Sequence, residues 1–332
     1  MKYACCFPAW LQWILLCASG VSAFPGGAAE PDRSMNVLFI GNSYTARHRL
    51  AHVVKDLAEA GNPGLEFTVS RVIYGGRRLV DHWRLGTQNF VRAATLTPEE
   101  ERATIARLQE TARENPEDRY AKQAVGRHRS LLESLQEPRE PWDVVVLQSY
   151  RDDLKGDGSP YMQYAPKFAE WVHAQGGRVL LHETTPTTQN AEPLDAVPET
   201  GPVLEKTRAI ARLAEAIDAD VVPMSLVAHR CQTERPDLTL RFVNDAHLNQ
   251  TMAYLTACTF YAALFDRTPQ GLPLDRITDI RFLNPENRDK DRDGKPITRV
   301  FSETDRADLQ RIAWEGYRQF EQVRQEVREA AE

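Results

Sequence analysis

The chain has 332 residues, 42% hydrophobic and 27% charged. That is an ordinary globular balance and excludes collagen-like, mucin-like and wholly disordered classes. With 41 basic against 47 acidic residues the net charge is −6, and no basic tract offsets it, so broad nucleic-acid binding is disfavoured.

The N-terminus reads as an export signal. Lys2 supplies a positive start, an apolar run extends from Ala9 to about Val21, and Val21-Ser22-Ala23 places small residues before a cleavage expected ahead of Phe24. The run falls short of the roughly 20 residues that a membrane span requires. Leu16 stands before Cys17, where a lipoprotein signal needs a small residue. Residues 24–332 are therefore expected to be a single exported domain, periplasmic or extracellular, without membrane insertion. Export leaves Cys231 and Cys258. They can pair in an oxidising compartment, or Cys258 can be a small buried core residue. Neither has a neighbour spaced like a zinc ligand, and no metal or other cofactor is expected.

Five short apolar runs predict strands: Asn36 to Ile40, Phe67 to Ile73, Asp143 to Leu147, Arg178 to Leu181, and Asp220 to Pro223. Each is continuous rather than alternating, as in parallel strands buried on both faces. Helical patterns separate them. Leu50, Val53, Val54 and Leu57 share a face that Gly61 stops; Tyr164, Phe168, Trp171 and Val172 mark a second helix; Leu204, Ala209, Ile210 and Leu213 mark a third. This β-α-β series predicts an α/β fold with a parallel, doubly wound sheet. Thr97-Pro98-Glu99-Glu100 opens a charged helical insertion over about 97–138, broken near Asn115-Pro116. It is longer than a crossover requires, and reads either as a lid or as a solvated hairpin without a role. A C-terminal amphipathic helix is expected over about 303–330, capped by Ser302 or Thr304.

In an open α/β sheet, ligands bind beyond the carboxyl ends of the strands. Gly41-Asn42-Ser43-Tyr44-Thr45 follows the first strand, Gly75-Gly76 the second, Gln148-Ser149-Tyr150 the third, and Asn244-Asp245-Ala246-His247 precedes the helix that starts near Asn249. A serine on a strand-to-helix turn, glycine N–H donors, an amide, and a carboxylate beside a histidine are the groups that acyl transfer through serine uses. Ser43 is a weak nucleophile unless a base such as His247 takes its proton, and His247 needs a partner to fix its tautomer. The helix after Ser43 points its N-terminus at the reacting centre. The Ser43 N–H, a Gly75 or Gly76 N–H, and the Gln148 side chain are candidate oxyanion donors.

Phe39-Ile40-Gly41-Asn42-Ser43-Tyr44-Thr45 resembles block I of the SGNH/GDSL hydrolases, in the GNS variant of a bacterial exported branch. Asn244 to Tyr254 and the segment to Tyr261 resemble the family's last block. Gly75-Gly76 with His82-Trp83 resembles block II, and Asp143 to Ser149 stands where block III belongs. The resemblance covers nearly the whole mature chain in order. It implies a three-layer α/β/α fold with a five-stranded flavodoxin-like sheet, and metal-free ester or thioester hydrolysis. It makes Ser43 the nucleophile, His247 the base, and the Ser43 and Gly76 N–H groups oxyanion donors. Two positions depart from the pattern. The family's aspartate, three residues before the histidine, is here Asn244, while Asp245 stands two before. The block III asparagine is absent, and Gln148 is the nearest amide. Either Asp245 or Asn244 orients His247, or the pair works as a Ser-His dyad.

The reading is an exported serine esterase acting on acyl esters, with acetyl groups on polysaccharides or small molecules the leading substrate class by analogy. Tyr44, Trp83 and Tyr150 are candidates to stack on sugar rings. Its rival is a non-catalytic carbohydrate-binding protein on the same fold. His82, His182, Glu183 and Arg77 stand near the same edge, where ordinary loop or helix polarity explains them equally well. Asp289-Lys290-Asp291-Arg292-Asp293-Gly294 matches the start of a calcium loop, but Val300 stands where the bidentate acid belongs, so the run is read as a polar turn.

Overall fold

The computed structural model describes residues 33–150, 153–154, 158–184 and 189–331; the leader expected over 1–23 lies outside them. In chain order the elements are β1 (Arg33–Gly41), α1 (Ser43–Ala46), α2 (Leu50–Gly61), β2 (Leu65–Ile73), α3 (Leu79–Arg84), α4 (Gln88–Val91), α5 (Pro98–Glu114), α6 (Arg119–Ser134), β3 (Val144–Gln148), α7 (Pro160–His173), β4 (Arg178–His182), α8 (Gly201–Ala216), β5 (Ala219–Val222), α9 (Met224–Glu234), α10 (Gln250–Phe265), β6 (Arg276–Thr278), β7 (Thr298–Val300) and α11 (Glu303–Glu329).

The five main strands pair in the order β2-β1-β3-β4-β5, and every pairing is parallel. This is the flavodoxin-like order, which reverses direction between β1 and β3 and opens a crevice at their carboxyl ends. Successive residues of each strand enter opposite layers. Val37, Phe39, Val144, Val146 and Leu180 pack with α2, α9 and α10. Leu38, Ile40, Val145, Leu147, Val179 and Leu181 pack with α3, α7 and α8. Both faces are dry, which is why the strands read as unbroken apolar runs.

Helix α10 is buried around its whole circumference from Gln250 to Leu264, so it carries no amphipathic stripe. Helix α11 packs chiefly on α8, α9 and α10, covering the helix layers rather than the sheet. Its cap is Ser302, which accepts the Asp305 N–H at 3.0 Å. Thr97 and Glu100 form the expected capping box at the start of α5. Cys231 and Cys258 are free, buried thiols. The antiparallel pair β6–β7 carries a polar hairpin that the sequence pattern did not mark.

Phe260 joins the helix layer to the sheet, its ring 5.8 Å from that of Phe39 and 4.9 Å from that of His182. Phe260→Ala should cost about 3–5 kcal/mol in a urea titration, with the native circular-dichroism spectrum retained.

Candidate active site

The candidate nucleophile stands where β1 gives way to a tight turn. Asn42 is extended, and its Oδ1 accepts the Tyr44 N–H at 3.0 Å. Ser43, partly exposed, is the first residue of α1. That helix is one turn long, and His48 and Arg49 follow with φ of 56° and 53° before α2 begins. The sequence pattern anticipated one helix behind Ser43. The kink divides it, so α1 supplies nearby N–H groups rather than the field of a long helix. Left-handed backbone at two residues that are not glycine is the kind of strain that surrounding contacts must hold.

Three buried groups hold this turn from below. Gln148 ends β3, and its Oε1 accepts from the Asn42 N–H at 2.8 Å and from Thr45 Oγ1 at 2.8 Å. Its Nε2 donates to the Ser149 carbonyl. The structure places Gln148, expected as an oxyanion donor, among the supports of this turn. Both ends of its amide are engaged within the protein, and its place is beneath the turn. Gly41 must be glycine, because a Cβ there would lie 2.5 Å from Thr45 Oγ1 and 2.6 Å from Gln148 Oε1. His82 Nε2 donates to the Gly41 carbonyl at 3.0 Å, and Nδ1 faces Thr87 Oγ1 at 3.1 Å. Burial lowers this imidazole to about 4. It therefore stays neutral, and the carbonyl acceptor fixes its tautomer.

His247 lies in a loop closed by the Arg241–Leu248 bridge. Its Nδ1 is hydrogen-bonded to Asp245 Oδ1, which also accepts the His247 backbone N–H at 3.1 Å. Asp245, two residues before the histidine, is the group that holds the ring. Asn244 is exposed, and its backbone N–H is gripped by Asp293 Oδ1 at 2.9 Å. Tyr44 links this loop to the serine turn. Its ring lies 5.6 Å from the His247 ring, and its hydroxyl donates to the Ala246 carbonyl at 3.3 Å.

Behind Asp245 stands a group that the motifs did not reveal. Arg47, 1% exposed, donates from Nη1 to Asp245 Oδ2 at 2.8 Å. Its Nη2 and Nε donate to Asp279 at 2.6 Å and 3.1 Å. A planar guanidinium thus bridges two carboxylates, as lysine cannot. Burial pushes the Asp245 carboxyl up, but hydrogen bonds from His247 and Arg47 outweigh it and hold the group well below the usual carboxylate range. Beside Arg47, His48 Nε2 donates to the Leu248 carbonyl at 2.8 Å. The one sequence signal for this layer was the charged run Arg47-His48-Arg49, set between the serine turn and the apolar stripe that starts at Leu50.

The remaining expected residues are placed as follows. Gly76 has a φ of 65°, in the region open to glycine, and the Gly75-Gly76 turn is tied to the serine side where Asn42 Nδ2 donates to the Arg77 carbonyl at 3.1 Å. Trp83 packs edge-on against Tyr164 and Phe168 of α7. The Tyr150 N–H is held by Asp153 Oδ2 at 3.0 Å. His182 and Glu183 are buried at the end of β4; burial lowers the first to about 3 and raises the second. The calcium-like run forms a self-capped turn, in which Asp291 Oδ1 accepts the Asp293 and Lys295 N–H groups, each at 3.0 Å. Among the described residues no His, Cys, Asp and Glu cluster is arranged to hold a metal.

No family profile and no curated protein matches the chain. Among solved structures, a DUF4886 family protein from Bacteroides uniformis is similar at 16% identity and a TM-score of 0.50, over 85% of this chain and 94% of its own. At that identity the likeness is one of fold. A candidate SGNH hydrolase from Slackia heliotrinireducens is matched at 17% identity and a TM-score of 0.40, over 70% of this chain and 100% of its own. A gut microbial diltiazem-metabolizing enzyme is matched at 14% identity and 0.35, over 71% of this chain and 47% of its own. The last two superpose too loosely to bear on function.

Arg47→Met leaves Asp279 buried without its cation and should cost about 3–5 kcal/mol in urea. Adding Asp279→Leu should recover much of that loss, because the fully buried carboxylate is then gone and Asp245, partly exposed, keeps His247. The pH dependence follows from Asp245. Its folded pKa lies below the unfolded value of about 3.9, so the carboxylate adds stability above that pH and loses it as pH falls through the folded value. The stability gap between the wild type and Asp245→Asn should therefore narrow below about pH 4.

Proposed function

We propose that this protein is a serine-dependent ester hydrolase in which Ser43 is the nucleophile, His247 the base and Asp245 the orienting carboxylate. The observation that carries the reading is the Asp245–His247 hydrogen bond, backed by buried Arg47 and joined to the serine turn through Tyr44. With Nδ1 engaged by Asp245, His247 has Nε2 for proton transfer.

The Ser43 hydroxyl attacks the acyl carbonyl while His247 Nε2 takes its proton, and a tetrahedral oxyanion forms. Donors suited to that oxyanion are the Ser43 and Gly76 N–H groups. His247 returns the proton to the leaving alkoxide, which departs as an alcohol. Water then attacks the acyl-serine with His247 again as base, and the carboxylic acid and Ser43 are released. Asp245 stabilises the imidazolium that forms in each step and keeps its own charge.

The natural substrate we propose is a short acyl ester, acetyl foremost, on a small molecule or polysaccharide; this rests on analogy. The export-like leader supports action outside the cytoplasm.

The test is hydrolysis of an aryl acetate by purified protein beside Ser43→Ala, with labelling by a serine-directed phosphonate. We expect Ser43→Ala to lower kcat at least about a thousandfold and to abolish labelling. Activity that survives Ser43→Ala overturns the reading. Folded protein that neither hydrolyses nor is labelled, yet binds glycans, favours the carbohydrate-binding alternative.

A further inference from the structure

The helical insertion is more than the sheet requires, and its contacts say what it holds. Four carbonyl oxygens, from the last residue of β2 to the C-cap of α3, accept hydrogen bonds from α5 and α6. Arg127 Nη2 donates to the Ile73 carbonyl at 3.0 Å, and Tyr120 Oη to that of Gly75 at 2.6 Å. Arg107 Nη1 donates to the Arg84 carbonyl at 3.0 Å, while His128 Nε2 contacts that of Leu85 at 2.8 Å. Arg84 and Asp118 add an ion pair at 2.7 Å.

Tyr120 is fixed from several sides. Arg119 Nη2 donates to its hydroxyl at 2.9 Å, which leaves the hydroxyl proton for Gly75. The Arg77 guanidinium lies 4.5 Å from its ring centroid, and the Tyr74 ring meets it edge-on at 6.3 Å.

The Gly75 carbonyl is a telling place for such a bond. It shares a planar peptide with the N–H of Gly76, and in a trans peptide these two groups point in opposite directions. Glycine on both sides leaves that plane free to rotate. A hydroxyl that fixes the oxygen therefore fixes the direction of the N–H. The same segment reaches the nucleophile through Asn42 Nδ2 on the Arg77 carbonyl, at 3.1 Å, and His82 Nε2 on the Gly41 carbonyl, at 3.0 Å.

We propose that the α5–α6 hairpin is a clamp on the oxyanion turn, and that Tyr120 is a positioning residue that aims the Gly76 N–H. It is neither a lid nor a hairpin without a role. This proposal rests on the ester-hydrolase reading for its kinetic arm only.

The test is Tyr120→Phe in the full protein, beside Arg113→Gln, which disturbs the exposed Arg113–Glu110 pair of the same hairpin. For Tyr120→Phe we expect kcat on an aryl acetate to fall about tenfold, as for a slightly misplaced catalytic group. KM should stay within about twofold, because substrate binding is unchanged. Phosphonate labelling should slow with kcat, and hydrogen exchange over residues 74–77 should quicken. Arg113→Gln should match the wild type in all of these. Wild-type kcat and wild-type exchange in Tyr120→Phe overturn the clamp, as does a raised KM with kcat unchanged. A wild type that hydrolyses nothing, with exchange still quickened by Tyr120→Phe, overturns the ester reading and sustains the clamp.

Discussion

The site depends on one guanidinium. Arg47 comes from the turn after Ser43, Asp245 from the loop that carries His247, and Asp279 from the segment that follows β6. These three pieces lie far apart in the chain, and each would be a poor place for a buried charge alone. A lone buried ion is strongly penalised, whereas a fork that meets two carboxylates with matched donors offsets that penalty. The serine turn, the histidine loop and the C-terminal hairpin are therefore coupled, since displacing Arg47 takes the cation from both carboxylates and displacing either carboxylate leaves a buried guanidinium donor without its acceptor.

Around that ion cluster the backbone is held mostly by neutral groups. His82, kept uncharged by burial, donates to the Gly41 carbonyl, and Gln148 accepts from the Asn42 N–H. Asp293 is the charged exception. It accepts the N–H groups of Val243 and Asn244, each at 2.9 Å, and so fixes the entry to the histidine loop. The acidic run that resembled a calcium loop thus serves as a backbone cap.

How much of this was legible depended on which physics left a pattern. Val144-Val145-Val146-Leu147 announced a strand buried on both faces because every residue is apolar, and the parallel, doubly wound sheet followed from the alternation with helices, while its flavodoxin-like order came from the resemblance alone. Ser43, His247 and the glycine pair were legible because each stands directly after or before a regular element. Arg47 and Asp279 were not, since an ion pair between distant segments has no period and no local spacing. The β6–β7 hairpin escaped because its strands are three residues each, too short to show alternation. Gln148 was found, but its support of the turn was not: a side chain at the end of a buried strand can face either the crevice or the turn beneath it, and sequence does not choose between them.

The placement of the carboxylate explains why the histidine loop needs its cation. Two residues before the ring, Asp245 Oδ1 accepts both the His247 backbone N–H and its Nδ1. That closes a local turn in which backbone and ring compete for one oxygen. The arrangement holds the ring only while the carboxylate keeps one rotamer. The second oxygen, Oδ2, would otherwise have only the longer contact to Arg292 Nε, at 3.8 Å. Arg47 grips that oxygen, and Asp279 grips Arg47. A carboxylate close to its histidine in sequence is thus held by a cation close to the serine, and orientation of the base becomes a property of the nucleophile's own turn.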